Sequence, residues 1–201
     1  MVTVEKVIDY WFLNYNEIDN NLDKQMEFWF RRGDDIDDEV RLNFSSAVES
    51  AASGRLNNWH KTDLGWLAFI ILIDQFPRNI YRGKAESYAL DSLALSISLK
   101  GIKKSRDLSL PVVARPYIYL PLMHSEDFEI QKLSLELSKK LYNEATLTQR
   151  KFIEVYLESA LEHYQIIREF GRYPHRNEIL GRKSTEKELN FLEKSDFLTR
   201  V

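Results

Sequence analysis

The chain contains no cysteine. It therefore has no disulfide framework, no thiolate zinc site and no cysteine nucleophile, which suits a reducing compartment. Long apolar runs are also missing. The longest, Trp66 to Ile73, falls far below the roughly 20 residues needed to cross a bilayer. Met1 to Phe12 lacks a basic start followed by a sustained apolar stretch, so it does not read as a signal peptide. An excess of positive charge is absent too: 28 Lys and Arg stand against 31 Asp and Glu, for a net charge of -3. That balance argues against a surface built to hold nucleic acid. These absences predict a soluble, cytoplasmic protein without nucleic-acid or membrane partners.

With 201 residues, 44% of them hydrophobic and 29% charged, the chain suffices for a substantial core. No linker divides it, so a single all-helical domain over residues 1–201 is expected. Seven glycines and five prolines give little punctuation, and apolar residues recur at three- and four-residue steps rather than alternating. Val4, Val7, Ile8, Trp11 and Phe12 mark one apolar helix face, and Leu22, Met26, Trp29 and Phe30 a second. Val40, Phe44, Ala47, Val48 and Ala51 mark a third, with Asp37, Asp38 and Glu39 in its first turn and Gly54 as its stop. The charge-rich stretch from Arg31 to Glu39 reads most simply as a solvated loop and helix start.

Thr62 or Asp63 can cap a helix from Leu64 to Phe76 that is apolar nearly all round, as at the centre of a bundle. A further helix is expected from about Ala85 to Lys100, stopped by Gly101. Pro116 and Pro121 make Val112 to Leu122 either a short proline-started helix or an extended connector. Ser125, followed by Glu126 and Asp127, reads as the cap of the next helix. A long helix runs from about Thr148 to Phe170, and Thr185 and Glu188 are spaced as a capping box for a last one. The expectation is about eight helices, paired antiparallel in a compact array or bundle.

Two stretches roughly a hundred residues apart share nearly the same polar wording. Asp74-Gln75-Phe76-Pro77-Arg78-Asn79 and Arg172-Tyr173-Pro174-His175-Arg176-Asn177 each place an aromatic, a proline and an Arg-Asn pair where a long helix is expected to stop. The segments LAFIILIDQFPRNIYRG, YLPLMHSED and HYQIIREFGRYPHRNEILGR, starting at Leu67, Tyr119 and His163, resemble the uncharacterised bacterial family catalogued as domain of unknown function 924. That resemblance implies an all-helical fold similar to tetratricopeptide repeats. It implies no activity.

The candidate chemistry gathers around these motifs. Arg78, Arg82, Arg172, Arg176 and Arg182 carry guanidinium forks that recognise phosphate or carboxylate bidentately, so two converging clusters would clamp an anion. The competing role is to close ion pairs with Asp74, Glu126, Asp127 or Glu178 and tie helix ends together. Asn79 and Asn177 would orient a ligand, with Asp74, Gln75, His124, Glu126 and Asp127 completing the pocket. His163 and His175 are the proton-transfer candidates should the protein catalyse a reaction. His163 shares an inward stripe with Tyr156 and Phe170, where a histidine is commonly a hydrogen-bonded core residue. No HExxH, no calcium loop and no cofactor fingerprint occurs, so neither metal nor cofactor is expected. Trp11, Phe12, Trp29, Phe30, Trp59 and Trp66 follow helical spacing and read as core. The partner is expected to be a small anionic molecule, or else a peptide bound on a tetratricopeptide-like scaffold.

Overall fold

A computed structural model describes residues 2–30 and 34–194. Nine α-helices with short 3-10 turns between them account for its regular structure, and the described residues contain no strand. They are α1 (Val4–Phe12), α2 (Leu22–Phe30), α3 (Asp34–Ala52), α4 (Asp63–Ile80), α5 (Asp91–Ile102), α6 (Arg115–Met123), α7 (Phe128–Glu144), α8 (Leu147–Phe170) and α9 (Glu186–Lys194).

The centre is α4, with α1, α3, α5 and α6 packed around it. Every residue from Trp66 to Ile73 is buried, which a helix apolar all round requires. Thr62 caps it by accepting from the Gly65 amide at 3.1 Å. The hairpin of α7 with α8 packs against α6. Thr146 and Gln149 form a capping box at the start of α8, and Gly171 ends it in the left-handed conformation that costs a glycine little. Trp11, Phe12, Trp29 and Trp66 belong to or pack on the main core; the Trp29 and Phe152 rings sit 4.9 Å apart. The side chain of Phe30, and Arg31 to Gly33, lie outside the described residues.

Several local expectations need correction. The first Arg-Asn stretch does not follow a helix end: α4 runs through Pro77 to Ile80. Proline inside a helix costs about 3 kcal/mol, but Phe76 and Ile80 on that last turn are buried, and their burial at roughly 1.5–3 kcal/mol each offsets the cost. Gly101 is not a stop either. It lies inside α5, where a Cβ would come within 2.0 Å of Trp66 Cζ2, so the indole fills the space a side chain would need. The expected helix from Ala85 is a 3-10 turn, Ala85–Tyr88, followed by α5 from Asp91.

Asp127, not Ser125, caps α7, accepting from the amides of Glu129 and Ile130 at 2.8 and 3.1 Å. Asp127 holds the cap position because Ser125 is engaged one step earlier, accepting from the Asp127 amide. Because α3 begins at Asp34, Asp37 sits a turn inside it. There it is only 5% exposed, so it is not part of a solvated start.

Candidate functional site

The second Arg-Asn stretch begins after α8 has closed at Gly171, and its backbone forms a 3-10 turn, Pro174–Arg176. The two echoing stretches thus differ in backbone conformation. Their arginines nevertheless meet. Arg78 Nη1 lies 3.1 Å from Asp91 Oδ1, and Arg176 Nη1 lies 3.4 Å from Asp91 Oδ2. Asp91 opens α5, where the helix dipole favours an acid; nothing in its spacing ties it to residues 78 and 176.

Beneath this bridge lies Asp74, fully buried on α4. Its Oδ1 is 2.9 Å from His124 Nδ1 and 3.7 Å from Arg78 Nη1, and Gln75 donates to its other oxygen. Arg78 Nη1 also donates to the Asp74 carbonyl at 2.7 Å. Burial alone would raise the Asp74 carboxyl, but the Arg78 charge and the hydrogen bonds from His124 and Gln75 hold it down at about 2. His124 is lowered as well: burial and the Arg78 charge lower its imidazole, against the pull of Asp74. A neutral His124 therefore donates Nδ1–H to the ionised Asp74.

Arg176 is 7% exposed and lies between two aromatic faces, 4.6 Å from the Tyr88 ring and 4.5 Å from the Tyr173 ring. Tyr173 is itself fixed: Gln131 Nε2 donates to its hydroxyl at 2.8 Å, the hydroxyl donates to the Met123 carbonyl, and its amide donates to Glu126 Oε1 at 2.8 Å. Burial, followed by the neighbouring Arg78, lowers the Arg176 guanidinium. Buried Arg176 Nε and Arg78 Nη2 have no hydrogen-bond partner among the described residues. A cleft of about 350 Å³ opens over this network, with Tyr88, Asp91, His124, Ser125, Glu126 and Arg176 among its lining residues.

The other candidates stand in separate ties. Asn79 and Arg82 both donate to Asp37, Asn79 Nδ2 at 2.9 Å to Oδ1 and Arg82 Nη2 at 2.9 Å to the same oxygen, which fastens α4 to α3. Arg172 grips Glu188 with Nε and Nη2 at 2.6 and 2.8 Å and so holds α9. Asn177 is 1% exposed and donates to Ser184 Oγ at 3.1 Å. Arg182 pairs bidentately with Glu126 at 2.7 and 3.0 Å, bracing the rim of the cleft. Asp127 is occupied as the α7 cap. His163 Nδ1 is bonded to the Ser159 carbonyl at 2.7 Å, and its ring meets the edge of Tyr173 at 5.4 Å. Burial lowers both His163 and His175 to about 3. Among the described residues, no three His, Asp or Glu side chains are grouped to hold a metal ion, and no helix is long and apolar enough to cross a membrane.

The fold and its centre therefore define an all-helical protein with a buried Asp-His-Arg network opening on a small cleft. The chain belongs to the family described as bacterial protein of unknown function (DUF924), whose model matches residues 7–196. A solved protein of unknown function from Agrobacterium tumefaciens is similar to it, with 31% sequence identity and a TM-score of 0.81 over 96% of this chain and 97% of that one. No curated protein matches the chain.

Proposed function

We propose that the cleft binds a small anionic molecule, carboxylate- or phosphate-bearing, with Arg176 as its anchor. The observation that carries this reading is an excess of donors. Each guanidinium has about five N–H groups, yet Arg176 has one carboxylate contact, at 3.4 Å, and must share Asp91 with Arg78. Its buried Nε has no hydrogen-bond partner among the described residues, and an unpartnered buried donor costs roughly 1–3 kcal/mol. An acceptor-rich ligand in the cleft would relieve that cost. Arg82, Arg172 and Arg182 each have bidentate acid partners, so they act first as ties; Arg182 also has a buried Nε without a hydrogen-bond partner among the described residues, but unlike Arg176 it shares its carboxylate with no second arginine. The cleft volume, about 350 Å³, suits a metabolite better than an extended peptide, since small-molecule sites span roughly 300–1,000 Å³. A cytoplasmic location fits both such a ligand and the lack of cysteine.

A thermal-shift series with inorganic phosphate, malonate and succinate tests this on the wild-type chain and on Arg176→Gln. A ligand at a hundred times its Kd adds about 2.7 kcal/mol, or roughly 5 °C or more in a chain of this length. That shift should disappear in the folded variant. Equal shifts in both proteins, or none with any of the anions, would refute the assignment.

A further inference from the structure

Anion binding leaves one feature of the cleft unused. His124 is held by its Nδ1–H on a carboxylate at 2.9 Å, so the neutral ring must carry its lone pair on Nε2. That nitrogen has no hydrogen-bond partner among the described residues, and His124 lines the cleft alongside Arg176. Asp74 is fully buried and fixed by Gln75 and Arg78, so the tautomer and the ring orientation are set before any ligand arrives. This is the arrangement of a general base with an orienting carboxylate. The same cleft offers hydroxyl groups on Tyr88, Ser92 and Ser125. Ser125 Oγ accepts from the Asp127 amide at 3.1 Å, which leaves its hydrogen available to donate.

We propose that this cleft is catalytic: His124 Nε2 is a general base that activates water against a small carboxylic ester bearing an anionic group, and Asp74 is its positioning residue. The proposal rests on the anion-binding role of Arg176. In the first step a water O–H bond breaks, its proton goes to Nε2, and the water oxygen bonds to the ester carbonyl carbon while the carbonyl π pair moves onto oxygen. In the second the C=O bond re-forms, the bond to the alkoxy oxygen breaks, and that oxygen takes the proton back from Nε2. Ester and water become acid and alcohol, and His124 returns neutral. Arg176 holds the substrate's anionic end, so the ester is delivered to one side of the imidazole. The cleft hydroxyls supply donors for the carbonyl oxygen.

The test is hydrolysis of 4-nitrophenyl hemisuccinate, measured beside thermal-shift binding of succinate in wild type, His124→Gln and Asp74→Asn. Wild type should hydrolyse the ester. Its rate should rise with pH to a plateau as His124 loses its proton, in a field set by Asp74 and Arg78 on α4, Asp91 on α5, Glu126, His163 on α8, and His175 and Arg176. His124→Gln should keep succinate binding and lose about a hundredfold or more in kcat with little change in KM, the typical scale for a lost general base. Asp74→Asn, if folded, should move the inflection to lower pH, because the carboxylate that favours the imidazolium is gone. Succinate binding without hydrolysis above the buffer rate, or a folded His124→Gln as fast as wild type, would overturn catalysis and leave the anion site standing. Failure of wild type to bind succinate and to hydrolyse the ester would overturn both.

Discussion

Replacing His163 with Asn should make the protein less sensitive to acid in a pH window that carboxylates do not control. His163 stands near pKa 3 in the folded chain, lowered by burial and by the charges of His124, Arg176 and His175, against the raising effect of its bond to the Ser159 carbonyl. In the unfolded chain it titrates near 6.5. Because the folded value is the lower one, the unfolded state takes up a proton first. Stability is full above pH about 6.5 and falls as pH drops towards about 3. At pH about 5 the unfolded imidazole is protonated and the folded one is not, a gap of roughly 1.5 pH units, worth about 2 kcal/mol at 1.36 kcal/mol per unit. This magnitude depends on the unfolded value, because the folded site is neutral there in any case. Asn keeps an N–H near the position of Nδ1 and so can still donate to Ser159. Its lower helix propensity and lost ring contact add a cost that does not change with pH. Urea unfolding at pH about 7 and about 5 gives each protein's loss against itself. Wild type should lose about 2 kcal/mol more than His163→Asn. Equal losses would refute the reasoning and mean that His163 is protonated in the native state.

Two further substitutions test how α5 and α9 are held. Gly101→Ala would gain about 1 kcal/mol from helix propensity alone, but its Cβ would lie 2.0 Å from Trp66 Cζ2 and 2.5 Å from Cε2. Overpacking of that kind costs about 1–3 kcal/mol, so the midpoint of thermal unfolding should fall, and a rise would show that the indole yields freely. Glu188→Ala removes the carboxylate partner of Arg172, leaving it the Lys183 carbonyl, and takes away one half of the capping box with Thr185. It should cost about 2 kcal/mol, the scale of hydrogen bonds to a charged group, and raise amide exchange through α9; protection unchanged in α9 would mean that its apolar contacts suffice.

Helix identity was readable wherever apolar residues kept a three- or four-residue step, as in α1, α4 and α8. Local punctuation failed where tertiary packing outweighed it. Pro77 and Gly101 read as stops because proline and glycine disfavour helices on their own, yet Phe76 and Ile80 bury the turn around the first and Trp66 occupies the space beside the second. Ser125 read as the cap with Asp127 in the first turn behind it, and only the backbone geometry selects the aspartate.

The candidate site was legible by composition but not by grouping. Asp74, Arg78, His124 and Arg176 do share one network, whereas Asn79 and Arg82 belong to Asp37, and Arg172 to Glu188. Asp91 and Gln131 carried no signal of their own, and Tyr88 was one of five tyrosines whose hydroxyls made them pocket candidates. Asp91 looks like an ordinary helix-start acid, Tyr88 like one tyrosine among several, and Gln131 like a polar position on an amphipathic helix. Their roles arise where α5, the turn before it and α7 approach residues 173–176, a tertiary arrangement that no sequence spacing encodes.

The central claim is that Arg176 is the cleft's open anion anchor. The most direct measurement follows the arginine Nε–Hε resonances by NMR as inorganic phosphate or succinate is added, with Arg176→Gln identifying the Arg176 signal. The account predicts a saturable, one-to-one shift of Arg176, while Arg172 and Arg182, already paired with Glu188 and Glu126, hold still. Weak, linear movement of all the arginines together, or none at Arg176, would contradict it.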